Sequence, residues 1–214
     1  MTSLKLVRIP LNIDAVGIAK RIKALKNKGA LYNVLSNFPH WESRSADFPF
    51  YTVGKASYLD GRSGKYYPDV RVINPILLYL FNDLYAEVSG KLSKHFGEWI
   101  TMNASLALPG FHIFPSDERM VGIAGHWHLD YPHTTLGMGD DDAHAFTVAI
   151  ELPKCGGGLD TKDEYIGYNV GELVLHDGLT NHRISSYKEY QPDEYRITLQ
   201  GHIIRDGESL IMFW

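Results

Sequence analysis

The sequence predicts a mainly β protein: a jelly-roll or related barrel core braced by N-terminal helices. Three observations carry that prediction. Helical spacing of apolar residues recurs within the first 98 residues and stops there. From Trp99 onward the chain breaks into short stretches rich in Val, Ile, Leu and Tyr. Turn signals such as Pro109-Gly110, Gly156-Gly157-Gly158 and Asp206-Gly207 separate those stretches. Candidate strands fall at 99–108, 120–129, 144–152, 158–166, 170–176, 182–187, 194–205 and 208–213. Eight strands punctuated in this way suit a jelly roll.

Before that core, Leu4 to Ile9 alternates apolar and basic residues until Pro10, which suits a short edge strand. Residues 12–28 carry Ile13, Val16, Ile18, Ile22 and Leu25 at helical spacing, with Gly29 as the stop. The lysines and Arg21 on the other side read as a solvated face. Residues 33–70 show no clean period but hold many rings, among them Trp41, Phe48, Phe50 and Tyr51. Either those rings wall a pocket or they pack on the sheet. Asn74-Pro75 reads as a helix start, a capping side chain followed by proline at the first turn. Ile76, Leu77, Leu80, Phe81, Leu84, Tyr85, Val88 and Leu92 then give one apolar face up to Gly97, as expected of a helix supporting a sheet. The expected organisation is one domain, 1–214, with a helical support and pocket-wall region at 1–98 and a jelly-roll core at 99–214. The apolar end, Gly207 to Trp214, suits a last core strand or a subunit contact.

Composition narrows the function classes. A net charge of −4 and the lack of a basic patch point away from nucleic acid and anionic membranes. No apolar run approaches the roughly 18 residues of a membrane span, and no secretory signal is evident at the N-terminus. The single cysteine, Cys155, excludes an internal disulfide, reads as structural, and fits a reducing, cytoplasmic setting. Eight of the ten histidines lie in the second half of the chain, which hints at a site there.

That hint concentrates at Gly125-His126-Trp127-His128-Leu129-Asp130-Tyr131. His128-x-Asp130 sets a histidine and a carboxylate two residues apart, so on a strand both point the same way. With His182 they make two imidazoles and one carboxylate, a donor set that suits non-haem Fe(II) and leaves positions open. Arg196, with Thr198 two residues on, offers a fixed cationic fork for a carboxylate-bearing co-substrate. His126 shares parity with His128 and is an alternative first ligand or a pocket residue. His202 shares parity with Arg196, Thr198 and Gln200. His126, Tyr131 and His202 are the candidate substrate contacts. His176 reads as a core or pocket neighbour, His133 as a loop residue and Arg183 as outward-facing. The stretch 131–143, with Asp140, Asp141 and Asp142, is either a lid over the substrate or a solvated hairpin loop.

The order H-x-D, distal histidine, R-x-T resembles the Fe(II)/2-oxoglutarate-dependent oxygenases, closest to their prolyl-hydroxylase-like branch. The carrying residues are His128-x-Asp130, His182 and Arg196-Ile197-Thr198, with the run from Gly156 to Leu159 and that from Gly171 to Ile184 between them. The resemblance covers about residues 99–205. It implies a double-stranded β-helix, Fe(II) held by His128, Asp130 and His182, and 2-oxoglutarate held by Arg196 and Thr198. It further implies O2 as second co-substrate, release of succinate and CO2, and hydroxylation of an unactivated C–H. Asp130 speaks against the halogenating variants, which replace that carboxylate with a small residue. The expected substrate is a small molecule, an amino acid or specialised metabolite. The alternatives are a protein or peptide side-chain hydroxylase and a non-catalytic jelly roll that binds metal or 2-oxo acid.

Overall fold

The computed structural model describes residues 6–26, 39–138, 143–154, 156–178 and 180–214. Strand β1 (Val7–Pro10) leads into helix α1 (Ala15–Ala24), the short strands β2 (Glu42–Ser43) and β3 (Tyr51–Val53), and a helical turn, α2 (Ser57–Asp60). The long helix α3 (Tyr66–Phe96) follows, then β4 (Ile100–Met102), β5 (Gly110–Pro115) and a second helical turn, α4 (Pro132–Thr135). The remaining strands are β6 (His144–Glu151), β7 (Leu159–Thr161), β8 (Tyr165–Ile166), β9 (Glu172–His176), β10 (His182–Ile184), β11 (Tyr195–Asp206) and β12 (Ser209–Phe213). The larger sheet runs β1-β9-β6-β11-β5-β3-β2, and β12 joins β11 to β4; a smaller sheet runs β10-β7-β8. All pairings are antiparallel except β12 with β4. The protein is thus mostly β with a large antiparallel sheet, as the sequence predicts.

The twelve-residue β11 is the hub, paired with β6, β5 and β12. Its alternation sends Ile197, Leu199 and Ile203 to one face. There they join Phe111, Ile113, Val148, Leu173 and Leu175 against α3 (Leu77, Phe81, Leu84, Val88) and α1 (Ile18, Ile22). The other face packs partly on the smaller sheet, where Ala149 and Val174 meet Leu159, Ile166 and Tyr168. Between the sheets that face opens into a cavity.

Several boundaries depart from the sequence reading. Helix α1 starts after Asp14, whose Oδ1 accepts from Gly17 N at 2.9 Å; Asn12 instead donates its N–H to Glu87. Its expected stop, Gly29, and the expected strand start, Leu4 and Lys5, lie outside the described residues. Helix α3 begins at Tyr66 rather than at Asn74. Asn74 caps nothing there: its amide donates to Leu106 O at 2.8 Å and accepts from Leu108 N at 3.2 Å, tying the helix to the chain entering β5. The helix tolerates Pro75 and bends at Phe81, where φ is −133° and ψ 27°. The expected strand 99–108 contracts to β4, and β5 appears where Pro109-Gly110 had suggested a turn. Gly110 is required because a Cβ would lie 1.9 Å from the Trp214 ring. Trp214 itself is fully buried, so the C-terminal stretch is a core strand. Residues 158–166 split into the β7–β8 hairpin.

The stretch 120–129 is not a strand. After a 3-10 turn at Glu118–Met120 it runs past residues 187–178, with Gly122, Gly125, His128 and Asp130 donating to the carbonyls of Tyr187, Ile184, His182 and Gly178. Bonds spaced by three, three and two residues cannot form a regular ladder, which needs a period of two. Within 39–70 the rings divide. Trp41 packs against Tyr51 and Tyr195, whereas Phe48, Phe50 and Tyr58 line the cavity. No helix among the described residues is long and apolar enough to cross a membrane.

Asn74→Ala should lower unfolding stability by about 2 kcal/mol, since it strands a buried carbonyl and a buried N–H. The urea midpoint of the purified variant checks this.

Candidate metal centre and its cavity

His128 and His182 sit opposite each other and exchange main-chain hydrogen bonds, His128 N to His182 O at 2.9 Å and His182 N to His128 O at 3.0 Å. That reciprocal pair brings the two imidazoles within 4.5 Å, centroid to centroid. Asp130 is held one step on by its N–H to Gly178 O at 2.9 Å. Gly178 turns the chain with φ +66°, a conformation that favours glycine. The three side chains converge: one donor atom from each of His128, Asp130 and His182 lies within 4.8 Å of the others. Asp130 Oδ2 is 3.3 Å from His182 Nε2, and Oδ1 is 3.9 Å from His128 Nε2.

The donor set fits a metal ion in detail. His128 Nδ1 lies 2.8 Å from His126 O, and His182 Nδ1 lies 2.8 Å from Thr180 O. A carbonyl only accepts, so each Nδ1 carries a proton and each Nε2 is turned toward the centre, where it can give its lone pair to a metal ion. Two nitrogens and one carboxylate occupy one side and leave other positions for exogenous ligands. Side-chain exposure rises from 5% at His182 through 22% at Asp130 to 49% at His128, so access is from the His128 side.

Electrostatics bind the cluster together. Burial pushes the Asp130 carboxyl up, but the hydrogen bond from His182 and the surrounding histidines outweigh it, and the net result is a strongly acidic group. Burial lowers His182, and its hydrogen bond to Asp130 reverses the sign and raises it. Burial pushes His176 and His202 down to about 4.

Arg196 lies in the same cavity and is 0% exposed. Its Nε donates to Gly157 O at 2.7 Å and its Nη1 to Thr198 Oγ1 at 3.3 Å; Nη2 has no partner among the described residues. The rings of Phe114 and Tyr168 each lie 5.6 Å from the guanidinium carbon. Gly157, with φ +78°, presses close: a Cβ there would sit 3.2 Å from Arg196 Cδ. This gives the glycine run a role, letting a backbone carbonyl approach the guanidinium. A buried cation with an idle donor is costly, and a planar carboxylate is the complement of its fork.

The cavity, about 460 Å³, thus brings together His128, Asp130, His182 and Arg196. His202 lines it, with Nε2 3.9 Å from Asp130. His126 and Tyr131 line its exposed mouth. His126 stands outside the three-donor cluster and supplies only its carbonyl to His128. His133 is corrected: it is not in an open loop but buried on α4, which Pro132 initiates. Arg183 does face away, paired with Asp160 at 3.2 Å and stacked on Trp127. Asp140, Asp141, Asp142 and Cys155 lie outside the described residues, so the lid expectation and the structural cysteine do too.

Sequence reasoning missed Tyr58, His112, Phe114, Thr147 and Tyr168 on the cavity wall. His112 and Phe114 alternate with Phe111 and Ile113, a period-two signal hidden by reading Pro109-Gly110 as a turn. Tyr168 lies just beyond the expected end of a strand at 166.

No protein-family model matches the sequence, and no curated relative does. Solved structures match over nearly the whole chain. An N-substituted L-amino acid dioxygenase from Burkholderia ambifaria AMMD matches at 10% identity, with 100% of each chain covered and a TM-score of 0.50. AviO1 from Streptomyces viridochromogenes Tue57 matches at 12% identity, covering 95% of this chain and 90% of that one, with a TM-score of 0.51. The non-haem alpha ketoglutarate dependent carbocyclase SnoK from nogalamycin biosynthesis matches at 10% identity over 99% and 92%, with a TM-score of 0.50. The fold is that of the double-stranded β-helix oxygenases.

The depressed histidines set an acid limit. The unfolded chain takes up protons near pH 6.5, the folded His176 and His202 only near 4. Their contribution is therefore complete above about pH 6.5 and lost as pH falls toward 4. His182, raised, acts in the opposite sense: its contribution is full below about 6.5 and is lost as pH rises through its folded value. Below about pH 6.5 only the first two still vary, so the urea midpoint of the chelator-treated protein should fall between pH 6.5 and 5, and His202→Gln should flatten that fall.

Proposed function

We propose that this protein is an Fe(II)- and 2-oxoglutarate-dependent dioxygenase that hydroxylates an unactivated C–H of a small molecule. The observation that carries the reading is a buried guanidinium with an idle Nη2 in the same cavity as a two-imidazole, one-carboxylate donor cluster. His128, Asp130 and His182 hold the metal. Fe(II) bound there supplies the activation of O2 that couples decarboxylation of 2-oxoglutarate, to succinate and CO2, with oxidation of the substrate.

The protein's own part is binding, orientation and exclusion of water. Arg196 Nη2 and the Thr198 hydroxyl take the distal carboxylate of 2-oxoglutarate. Tyr168, stacked on the guanidinium and with its phenol pushed up mainly by burial, stays neutral beside that carboxylate. The rings of Phe114 and Tyr168 keep water from the pair, which strengthens it. The Nδ1 hydrogen bonds of both ligand histidines hold the imidazoles aimed at the centre. Substrate enters from the His128 side, past His126 and Tyr131, while His202 bounds the pocket beneath.

A small molecule is the fitting substrate. A cavity of about 460 Å³ with a largely apolar wall is the size and character of a small-ligand site. The similar N-substituted L-amino acid dioxygenase and the similar carbocyclase from nogalamycin biosynthesis agree with that class. The single cysteine of the sequence suits a cytoplasmic setting.

Anaerobic titration with Fe(II) and 2-oxoglutarate should produce the weak visible metal-to-ligand charge-transfer band. His182→Ala should abolish it. Arg196→Ala should raise the 2-oxoglutarate requirement on the order of 100-fold, because a buried charge partner is lost, and Tyr168→Phe should raise it only several-fold. Iron binding without the band at saturating co-substrate would refute the assignment.

A further inference from the structure

One wall of the cavity is built from residues that metal and co-substrate do not use. Tyr58 on α2 and His112 on β5 both line it, with Tyr58 Oη 2.5 Å from His112 Nε2. Tyr58 as a residue is 43% exposed, and its hydroxyl lies against the imidazole. His112 is buried with Phe50 edge-on at 4.9 Å, and its Nδ1 has no partner among the described residues. Burial, and then the charge of Arg196, keeps His112 well below its usual range, so the ring is neutral and carries one proton.

That proton has two possible homes. If the phenol donates to Nε2, the imidazole proton sits on Nδ1 as a buried N–H with no acceptor. If Nε2–H donates to the phenol oxygen, Nδ1 is merely an unused lone pair, and the phenol O–H is free. A buried N–H without an acceptor is rarely tolerated, whereas a phenol O–H on the cavity wall can be met by solvent or ligand, so the second arrangement prevails. It leaves Tyr58 with a hydroxyl proton to give. Burial first, and the charge of Asp130 second, push the phenol up, so it remains a donor throughout the neutral range. The mount is rigid: Arg44 grips both oxygens of Asp60 at 2.8 and 2.9 Å, and Asp60 accepts from Ala56 N at 3.0 Å.

We infer that Tyr58, oriented by His112, donates a hydrogen bond to an oxygen acceptor on an otherwise apolar, ring-bearing substrate. Phe48, Phe50, Phe114 and Leu129 make the surrounding wall apolar. A peptide backbone, with an N–H and a C=O at every residue, would leave polar groups unpaired against those rings. A compact carbon framework with one carbonyl or hydroxyl oxygen would not. Tyr58 is thus a specificity-determining contact, and the inference rests on the oxygenase reading above.

The test uses wild type and Tyr58→Phe, each loaded anaerobically with Fe(II) and 2-oxoglutarate and matched in thermal melting. The probes are acetophenone and ethylbenzene, similar in shape and differing by one carbonyl, with binding followed by equilibrium dialysis. Wild type should bind acetophenone about tenfold more tightly than ethylbenzene, as one buried hydrogen bond allows. Tyr58→Phe should level the two without changing the 2-oxoglutarate dependence of the charge-transfer band. A normal band with no preference in wild type, including no binding of either probe, overturns this inference alone. So does a preference that survives in Tyr58→Phe, or a ring-nitrogen NMR spectrum that puts the His112 proton on Nδ1. Absence of the band from wild type overturns the oxygenase reading and this inference with it.

Discussion

The register of β11 is the constraint on which the rest depends. Along its central stretch, residues 196–203, alternate side chains face the helices and the cavity side. Ile197, Leu199 and Ile203 belong to the core; Arg196, Gln200 and His202 line the cavity, and Thr198 meets Arg196. A slip of one residue would drive the guanidinium into the aliphatic core and expose the isoleucines to the cavity. The register is held from both sides, by β5 along Tyr195–Gln200 and by β6 along Ile197–Ile203, with an irregularity in the β6 pairing between Ile197 and Thr198. Such irregularities re-aim side chains beside functional sites.

Around that strand the polar groups form two separate electrostatic units. One is Asp130 with its ring of histidines, nearly self-compensating without a ligand. The other is Arg196, whose positive charge meets, among the described residues, a carbonyl, a hydroxyl and two aromatic rings. The first unit is complete enough to fold; the second carries a cost that only an anion relieves. Anion binding and folding are therefore linked: a bound carboxylate stabilises the native state by mass action.

Much of this was legible in the sequence, and the failures have physical causes. Runs rich in Val, Ile, Leu and Tyr between turn signals identified the central strands at 194–205 and 144–152, because buried strands concentrate such residues. The order of His128, Asp130, His182 and Arg196 identified the cluster because those residue types serve few other joint purposes. Helix α3 was read as starting too late because Asn74-Pro75 has the chemistry of a cap, whereas tertiary contacts with Leu106 and Leu108 claim the Asn74 amide. The stretch 120–129 looked like a strand by composition, yet its main-chain partners come at irregular intervals. Tyr58 and His112 were invisible as a pair because 54 residues separate them, and only the pairing of β3 with β5 closes that distance.

The chain also divides its labour by origin. All three donor atoms and Arg196 come from residues 128–196, on segments locked by main-chain pairing. Phe48, Phe50 and Tyr58 come from an earlier segment, held by its own ion pair between Arg44 and Asp60. That part of the cavity wall can thus be redrawn by evolution, or by an engineer, through replacement of one short contiguous stretch, while the His-Asp-His cluster is inherited intact.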